Sequence, residues 1–173
     1  MEEEPRPLAV CDANVLIDYF GVDEDLIREL VAFWGHVFVP DVVLNEVKGT
    51  TRARAEELGL TVLETPFVLL ECKPLSFQDR SCLHFVIENN WVCIANDTRL
   101  RKECEARGVR VVWGMEMLAL LVENGQVTRK RALDCGEKIH NINPAITADV
   151  LGQFRKRLKK PKETMTPRKV QSK

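Results

Sequence analysis

The sequence predicts one three-layer α/β/α domain with a mainly parallel central sheet. Short apolar runs alternate with helix-like segments along most of the chain, and this alternation is the order that places helices on both faces of a parallel sheet. A length of 173 residues suits one domain with a short appendage. A content of 45% hydrophobic and 29% charged residues is typical of a globular protein in water.

Five apolar runs are too short for helices and stop near turn-forming or charged residues, so each predicts a buried strand. In chain order they cover residues 8–11, 37–39, 61–64, 91–95 and 109–113. Helices are predicted over residues 14–20, 25–34, 41–47, 55–58, 76–88, 99–106 and 115–123, with two more after Thr128 and Pro144. Gly21 predicts a break between the first two helices, and residues 49–54 predict a basic loop.

Composition also limits the compartment and the class of protein. The six cysteines lie far apart, without a C-x-x-C pair or clustered histidines, which indicates buried thiols in a reducing compartment rather than a zinc site. The acidic N-terminus precedes only a brief apolar run, and no stretch approaches the roughly 20 apolar residues of a membrane span. The sequence therefore predicts a cytoplasmic protein without membrane contact.

Basic charge is concentrated at the C-terminus. From Arg155 onward, nine basic residues and one acid give a net charge of +8, against −9 for the rest of the chain. Such asymmetry indicates either contact with a polyanion, most often nucleic acid, or a solvated, disordered end. We predict a domain over residues 1–150, with its core at about 8–124, and a basic, partly disordered end over 151–173.

Four acidic residues stand where predicted strands meet helices. Asp12 and Asp97 directly follow strands, Glu46 lies on the helix after the second strand, and Asp79 lies in the first turn of helix 76–88. Because the carboxyl ends of parallel strands share one edge of the sheet, we expect these acids, named here the acid cluster, to converge. Gathered carboxylates repel one another unless a cation is present, and oxygen ligands of this kind suit Mg²⁺ or Mn²⁺.

Each acid also has a structural interpretation, which the sequence leaves open. Asp12 and Asp97 could be helix N-caps, and Asp79 could pair with Ser76 in an arrangement like a capping box. Glu46 could lie on a solvated helix face. The three histidines His36, His84 and His140 are isolated and predict structural or surface positions, and Trp34, Trp91 and Trp113 predict core packing rather than base stacking.

The ordered set of acids resembles the PIN domain of metal-dependent ribonucleases. The resemblance is carried by Asp12-x-Asn14, Glu46 after a strand and a Val-rich helix, Asp79 at a helix start, and Asn96-Asp97 after the next strand. It runs from about Leu8 to about Asn124 and includes the strand and turn over residues 111–114. The chain differs from the compact VapC-type toxins of this family by the region after Thr128 and by Met115, which stands where a small hydroxyl residue often follows the glycine.

The resemblance implies hydrolysis of phosphodiester bonds in single-stranded or looped RNA with Mg²⁺ or Mn²⁺. It implies that the acid cluster, Asp12, Glu46, Asp79 and Asp97, supplies the catalytic residues and metal ligands, with Asn14, Asn96 and Thr98 in support. It also implies RNA, an antitoxin protein and a second copy of the chain as partners. Residues Met115, Leu118, Leu121 and Val122 could belong to a dimer surface or to the core.

An acidic body repels RNA, so basic residues are expected around the cluster. The candidates are Lys48, Arg52, Arg54, Arg80, Arg99, Arg101, Lys102, Arg155, Lys156 and Arg157. Helix pairs such as Arg101 with Glu105 offer a plain alternative for any one of them.

Two other functional classes stay open. The chain could be a non-catalytic RNA-binding or assembly factor that keeps the fold and uses its basic tail. It could also be a phosphatase of the haloacid dehalogenase type, but that chemistry needs a second acid two residues after the first, where this chain has Asn14. No phosphate loop or dinucleotide-binding glycine motif is present.

Overall fold

A computed structural model describes residues 8–160 and contains a five-stranded sheet with every neighbouring pair parallel. The strands are β1 Ala9–Cys11, β2 Val37–Pro40, β3 Thr61–Leu63, β4 Val92–Ile94 and β5 Val111–Val112, in the order β3-β2-β1-β4-β5. Val10 of β1 is in register with Phe38 of β2 on one side and Cys93 of β4 on the other. Four strands lie inside the runs that the sequence predicts, and β2 extends one residue past its run 37–39, to Pro40.

Helices connect and follow the strands. They are α1 Ala13–Val22, α2 Asp25–Trp34, α3 Asp41–Leu44, α4 Arg52–Glu57, α5 Phe77–Asn89, α6 Thr98–Ala106, α7 Gly114–Glu123, α8 Arg129–Ile142 and α9 Ala148–Lys159. The connection from β1 to β2 runs in the direction opposite to that from β3 back to β4. Right-handed crossovers therefore place α1 and α2 on one face and α5 on the other, which confirms the three-layer prediction.

The two helical layers differ in what covers them. Helix α5 packs against β1, β2 and β4, with α3 and α6 beside it. In the other layer α2 contacts both α1 and α7, and α8 and α9 pack over this layer. Two polar contacts join this layer internally: the Tyr19 hydroxyl donates to the Gly114 carbonyl at 2.7 Å, and the Trp34 indole N–H lies 3.2 Å from the Met117 sulfur.

Three local predictions were wrong. Gly21 does not break the first helix, because α1 continues to Val22. Residues 52–54 do not belong to a loop, because the Thr51 hydroxyl accepts from the Arg54 N–H and starts α4 at Arg52. Helix α3 ends at Leu44, so Glu46 lies in the turn after it and not on it.

Three of the four α7 residues considered for a dimer surface are core residues, and the fourth, Val122, is partly buried. Leu118 and Leu121 are fully buried and Met115 is 5% exposed. Helix α8 closes on α9 so tightly that a Cβ atom at Gly136 would stand 2.6 Å from the Phe154 ring. The side of α7 that carries these residues is therefore covered by α8 and α9 of the same chain.

The predicted boundary at residue 151 falls inside α9, and the part of the basic end beyond Lys160 lies outside the described residues. Among residues 8–160, no helix has both the length and the apolar character needed to cross a membrane.

Candidate active site

The strand order reverses between β1 and β4, because the chain moves outward from β1 in one direction and from β4 in the other. In open parallel sheets the crevice beyond the carboxyl ends of such a pair is the usual position of a binding site. Asp12 follows β1 and Asp97 follows β4, and the Asp12 N–H donates to the Ile94 carbonyl at 2.9 Å. The sheet therefore brings these two segments to the same crevice.

Asp12 is buried at the start of α1, with 2% of its surface exposed. It occupies the N-cap position, yet its side chain makes no capping hydrogen bond. The Cys82 thiol lies 3.9 Å from its Oδ1. Burial and repulsion by Asp79, with smaller repulsion by Asp97 and Glu46, raise the pKa of Asp12 to about 7, although a hydrogen bond from the Ala13 backbone opposes the shift.

Asp79 and Glu46 show the same mutual repulsion. Burial and the charge of Asp97 raise the pKa of Asp79, although hydrogen bonds from Ser76 oppose the shift. Burial and the charge of Asp79 raise the pKa of Glu46. The four carboxylates therefore interact electrostatically from four separate segments. Within residues 8–160 none of them forms an ion pair with a Lys, Arg or His side chain.

Asp97 and Asp79 also have the structural roles that the sequence allowed. Asp97 is the N-cap of α6, and its Oδ1 accepts from the Leu100 N–H at 2.8 Å. Ser76 is the N-cap of α5 and accepts from the Asp79 N–H at 3.1 Å. Capping therefore accounts for part of the position of these two acids, and it does not account for Asp12.

Asn96 is held between two helices. Its Nδ2 donates to Asp18 at 3.3 Å, and its Oδ1 accepts from the Gly114 N–H at 2.9 Å. A Cβ at Gly114 would lie 3.2 Å from that oxygen, so a larger residue there would press on the Asn96 amide. The other two supporting candidates, Asn14 and Thr98, are exposed, and the Asn14 side chain makes no hydrogen bond within residues 8–160.

Asp18 is a buried polar residue that sequence reasoning missed. It is 5% exposed in the middle of α1, and both of its oxygens accept from the Asn143 amide, at 3.0 and 3.1 Å. Burial raises the pKa of Asp18 to about 6, although the Asn143 hydrogen bonds oppose the shift. The one available signal was an acid inside the apolar run 15–20, and its amide partners, Asn96 and Asn143, are distant in sequence.

The ten basic candidates divide into paired and unpaired residues. Arg52 pairs with Glu56 and Glu64, Arg54 with Glu24 and Glu57, Arg155 with Glu137, and Arg157 with Glu116 and Glu123. Lys48, Arg99, Lys102 and Lys156 are exposed, and the charge of Arg99 lowers the pKa of Asp79. Arg80 and Arg101 lie over aromatic rings, those of Phe77 and Trp113.

One aromatic prediction was wrong. Trp34 is 3% exposed, and Trp91 is partly buried against Phe38, with ring centroids 4.3 Å apart. Trp113 is instead 37% exposed, because it directly follows the edge strand β5 and stands at the N-cap position of α7. It also borders a cleft of about 500 Å³ between α7 and α9, whose lining includes Glu116 and Phe154 but none of the acid cluster.

The donor set fits a divalent cation by its chemistry. It consists of carboxylate oxygens that form no ion pair among residues 8–160 and whose mutual repulsion a cation would relieve. Within residues 8–160 no three His, Cys, Asp or Glu side chains form a ready-made metal-binding group. The acid cluster therefore matches a divalent cation in its oxygen atoms and negative charge, and not in a preformed coordination geometry.

A solved structure with a similar fold is a PilT N-terminus domain protein from the hyperthermophilic archaeon Sulfolobus solfataricus P2. The match has a TM-score of 0.53 and 18% sequence identity, and it covers 67% of this chain and 94% of that chain. This chain has the PIN fold. PIN abbreviates PilT N-terminus, so the fold that the sequence predicts is confirmed. No protein-family model matches the sequence, and neither does any curated protein.

Proposed function

We propose that the protein is a divalent-metal-dependent ribonuclease that hydrolyses phosphodiester bonds in single-stranded or looped RNA. The observation that carries the proposal is the buried Asp12, whose pKa burial and three other carboxylates raise to about 7 and whose side chain makes no capping hydrogen bond. A fold that needed only a capping residue at this position would have no reason to bury an unpaired carboxylate among like charges.

Each acid has a proposed role. Asp12 and Asp97 would hold the metal ion, and Glu46 and Asp79 would hold a second ion or orient the attacking water. When bound, a divalent ion lowers the pKa of its water and stabilises negative charge on the phosphate. Asn96 would fix the position of the β4–α6 loop, and hence of Asp97, through its bonds to Asp18 and Gly114.

The first test is cleavage of end-labelled structured and unstructured RNAs by the purified protein with Mg²⁺, with Mn²⁺ and with EDTA. We expect cutting that requires the metal and is lost in Asp12→Asn and in Asp97→Asn. Asp149→Asn, in the first turn of α9, is the control and is expected to cut like the wild type. Cutting that persists in EDTA, or in Asp12→Asn, contradicts the proposal.

The second candidate is a non-catalytic RNA-binding or assembly factor with the PIN fold. Two observations favour it: Asp97 is used as a helix cap, and residues 8–160 contain no ready-made metal group. It predicts RNA binding without cleavage under every metal condition of the same assay.

A role as the toxin of a toxin–antitoxin pair rests on the resemblance alone. The Arg155 and Arg157 side chains offered for RNA contact are already paired with acids, which weakens the case for α9 as an RNA-binding element. A small overlapping gene for an antitoxin-like protein would support the toxin role, and an isolated gene would weaken it.

A further inference from the structure

Three arginines lie over aromatic rings within residues 8–160, and two of these pairs are carried by segments that also carry acids of the cluster. Arg80 lies 5.7 Å from the centroid of Phe77, and Arg101 lies 3.2 Å from the centroid of Trp113. We name them the Phe77 pair and the Trp113 pair. The third, Arg110 with Trp34 at 5.9 Å, is the Trp34 pair.

The Phe77 pair lies at the start of α5. Phe77 is its first residue, two positions before Asp79, and Arg80 directly follows Asp79. The Phe77 side chain is 41% exposed although it is a large apolar group. The Arg80 Nε is buried and has no hydrogen-bond partner among the described residues. The first turn of α5 therefore carries an aromatic ring and a guanidinium group together with one acid of the cluster.

The Trp113 pair lies on the Asp97 side. Arg101 is one turn after Asp97, and its backbone N–H donates to the Asp97 carbonyl at 3.0 Å. Trp113 directly precedes Gly114, which is bonded to the side chain of Asn96. Trp113 is 37% exposed and borders the cleft between α7 and α9, and the Arg101 Nε is also buried without a hydrogen-bond partner within residues 8–160.

The Trp34 pair shows what a purely structural pair looks like in this protein. Trp34 is 3% exposed, and its indole N–H is satisfied by Met117. Arg110 precedes β5, at the amino end of the sheet and away from the acids. The Phe77 and Trp113 pairs differ from the Trp34 pair because their aromatic rings are exposed to water. An exposed ring forgoes the hydrophobic free energy that it would gain if a ligand covered it.

We propose that the Phe77 and Trp113 pairs are two base-stacking positions, one carried next to Asp79 and the other next to the Asp97 segment, that bind unpaired nucleobases of a single-stranded nucleic acid. Exposed aromatic faces stack any base, and a neighbouring arginine adds a cation near the phosphates. A double helix keeps its bases stacked inside and cannot offer them to both positions. The inference rests on the proposed function, because it takes the bond between the two bound bases as the one that is cut.

The test separates bases from phosphates. Binding of fluorescein-labelled oligouridylate, of an abasic ribose-phosphate oligomer of equal length and of a duplex RNA is measured by anisotropy, with Ca²⁺ in place of Mg²⁺. We expect the wild type to bind oligouridylate roughly a hundredfold more tightly than the abasic oligomer, since each stacked base contributes roughly tenfold. Duplex RNA is expected to bind no better than the abasic oligomer.

Matched variants keep the result interpretable. Phe77→Leu and Trp113→Leu keep apolar bulk but remove the aromatic face, and each is expected to lose roughly tenfold for oligouridylate and nothing for the abasic oligomer. Trp113→Phe is expected to recover most of that loss. Arg110→Ala, in the Trp34 pair, is the control and should bind both oligomers like the wild type. Thermal unfolding of each variant checks that the fold is intact.

Two outcomes overturn the inference: equal affinity of the wild type for the oligouridylate and abasic oligomers, including absence of binding to both, or unchanged oligouridylate affinity in both leucine variants. The proposed function fails separately. A wild type that discriminates bases in the binding assay and cuts nothing with Mg²⁺ or Mn²⁺ keeps the stacking positions and loses the nuclease. A wild type that cuts RNA but binds the oligouridylate and abasic oligomers equally well keeps the nuclease and loses the stacking positions.

Discussion

Helix α1 carries an aspartate at each end, and the fold treats the two in opposite ways. Asp12 stands at the N-terminal end, where the helix dipole favours a negative charge, yet its pKa is raised to about 7. Asp23 stands at the C-terminal end, where the dipole disfavours it, yet its pKa is lowered. The dipole is therefore outweighed at both ends by burial and by neighbouring charges.

The neighbours explain the difference. Although burial raises the pKa of Asp23, hydrogen bonds and the charge of Arg131 more than offset it, with the guanidinium Nε 2.8 Å from Asp23 Oδ2. Asp12 has three acids near it and a thiol as its side-chain neighbour. Asp23 is an acid that stabilises the fold, whereas Asp12 weakens the fold at neutral pH and is suited to a positively charged ligand.

The largest difference between the two ends is expected in catalysis. Asp12→Asn should lower the rate of metal-dependent RNA cleavage on the order of a thousandfold, because it removes a proposed metal ligand. Asp23→Asn should leave the rate within about twofold. Single-turnover cleavage of an end-labelled RNA measures both. Equal losses in the two variants would mean that α1 matters only as a structural element.

The next effect is on the free energy of unfolding, which the Asp12 and Asp23 substitutions should change in opposite directions. The folded-state pKa of Asp12, about 7, lies above the ordinary value of 3.8, so the folded protein binds a proton more tightly than the unfolded chain. Its contribution to stability is present below about pH 4 and is lost as the pH rises to about 7. At pH 7.5, Asp12→Asn should raise the free energy of unfolding by about 2 kcal/mol. Asp23→Asn should lower it by about 1 kcal/mol. Urea unfolding measures both free energies. If Asp12→Asn is less stable than the wild type, the charge of Asp12 is not unfavourable in the folded protein.

A bound divalent ion should stabilise the folded wild type by offsetting the unfavourable charge of Asp12. Mg²⁺ or Mn²⁺ at about a hundred times its dissociation constant should stabilise the wild type by about 3 kcal/mol, which raises the melting temperature by roughly 5–10 °C. Asp12→Asn should show little of this shift, and Asp23→Asn all of it. Thermal unfolding in EDTA and in each metal gives the answer. An equal shift in both variants would place the ion elsewhere.

The smallest effect concerns Asp18, between the two ends. Asn143→Ala should move the pKa of Asp18 above its present value of about 6, since the Asn143 hydrogen bonds hold it down. Because the raised pKa removes stability as the pH rises, the variant should lose about 1 kcal/mol near neutral pH and less near pH 4. NMR titration of the Asp18 carboxyl reports the pKa. Asn124→Ala, at the exposed end of α7, is the control.

The sequence predicted much of the scaffold, because strands and helices follow from local periodicity. The five strands, α2 and the position of the acid cluster at one sheet edge could all be predicted from runs of residues and their order. The start of α4 at Arg52 was missed although its cap, Thr51, is local, whereas a distant ion pair that holds the helix was not visible in the sequence. Arg54 pairs with Glu24, 30 residues earlier in the chain.

The remaining misses share this cause. Asp18 and Asn143 are 125 residues apart and meet only after α8 has packed on α1. The exposure of Trp113 depends on β5 being the last strand of the sheet, a property of the strand order and not of the residues around the tryptophan. Local sequence predicts helices and strands. It predicts contacts between distant residues only where the order of the strands and helices in space is already known.

The pairing of β1 with β4 has a consequence for synthesis of the protein. Residues 9–11 are aligned with residues 92–94, so the crevice cannot form until the chain has been translated well beyond its middle. A growing chain that already holds β1, β2 and α2 still lacks Asp97 and has no strand to set it beside Asp12. Chains that end before β4 therefore lack the crevice and any chemistry that depends on it.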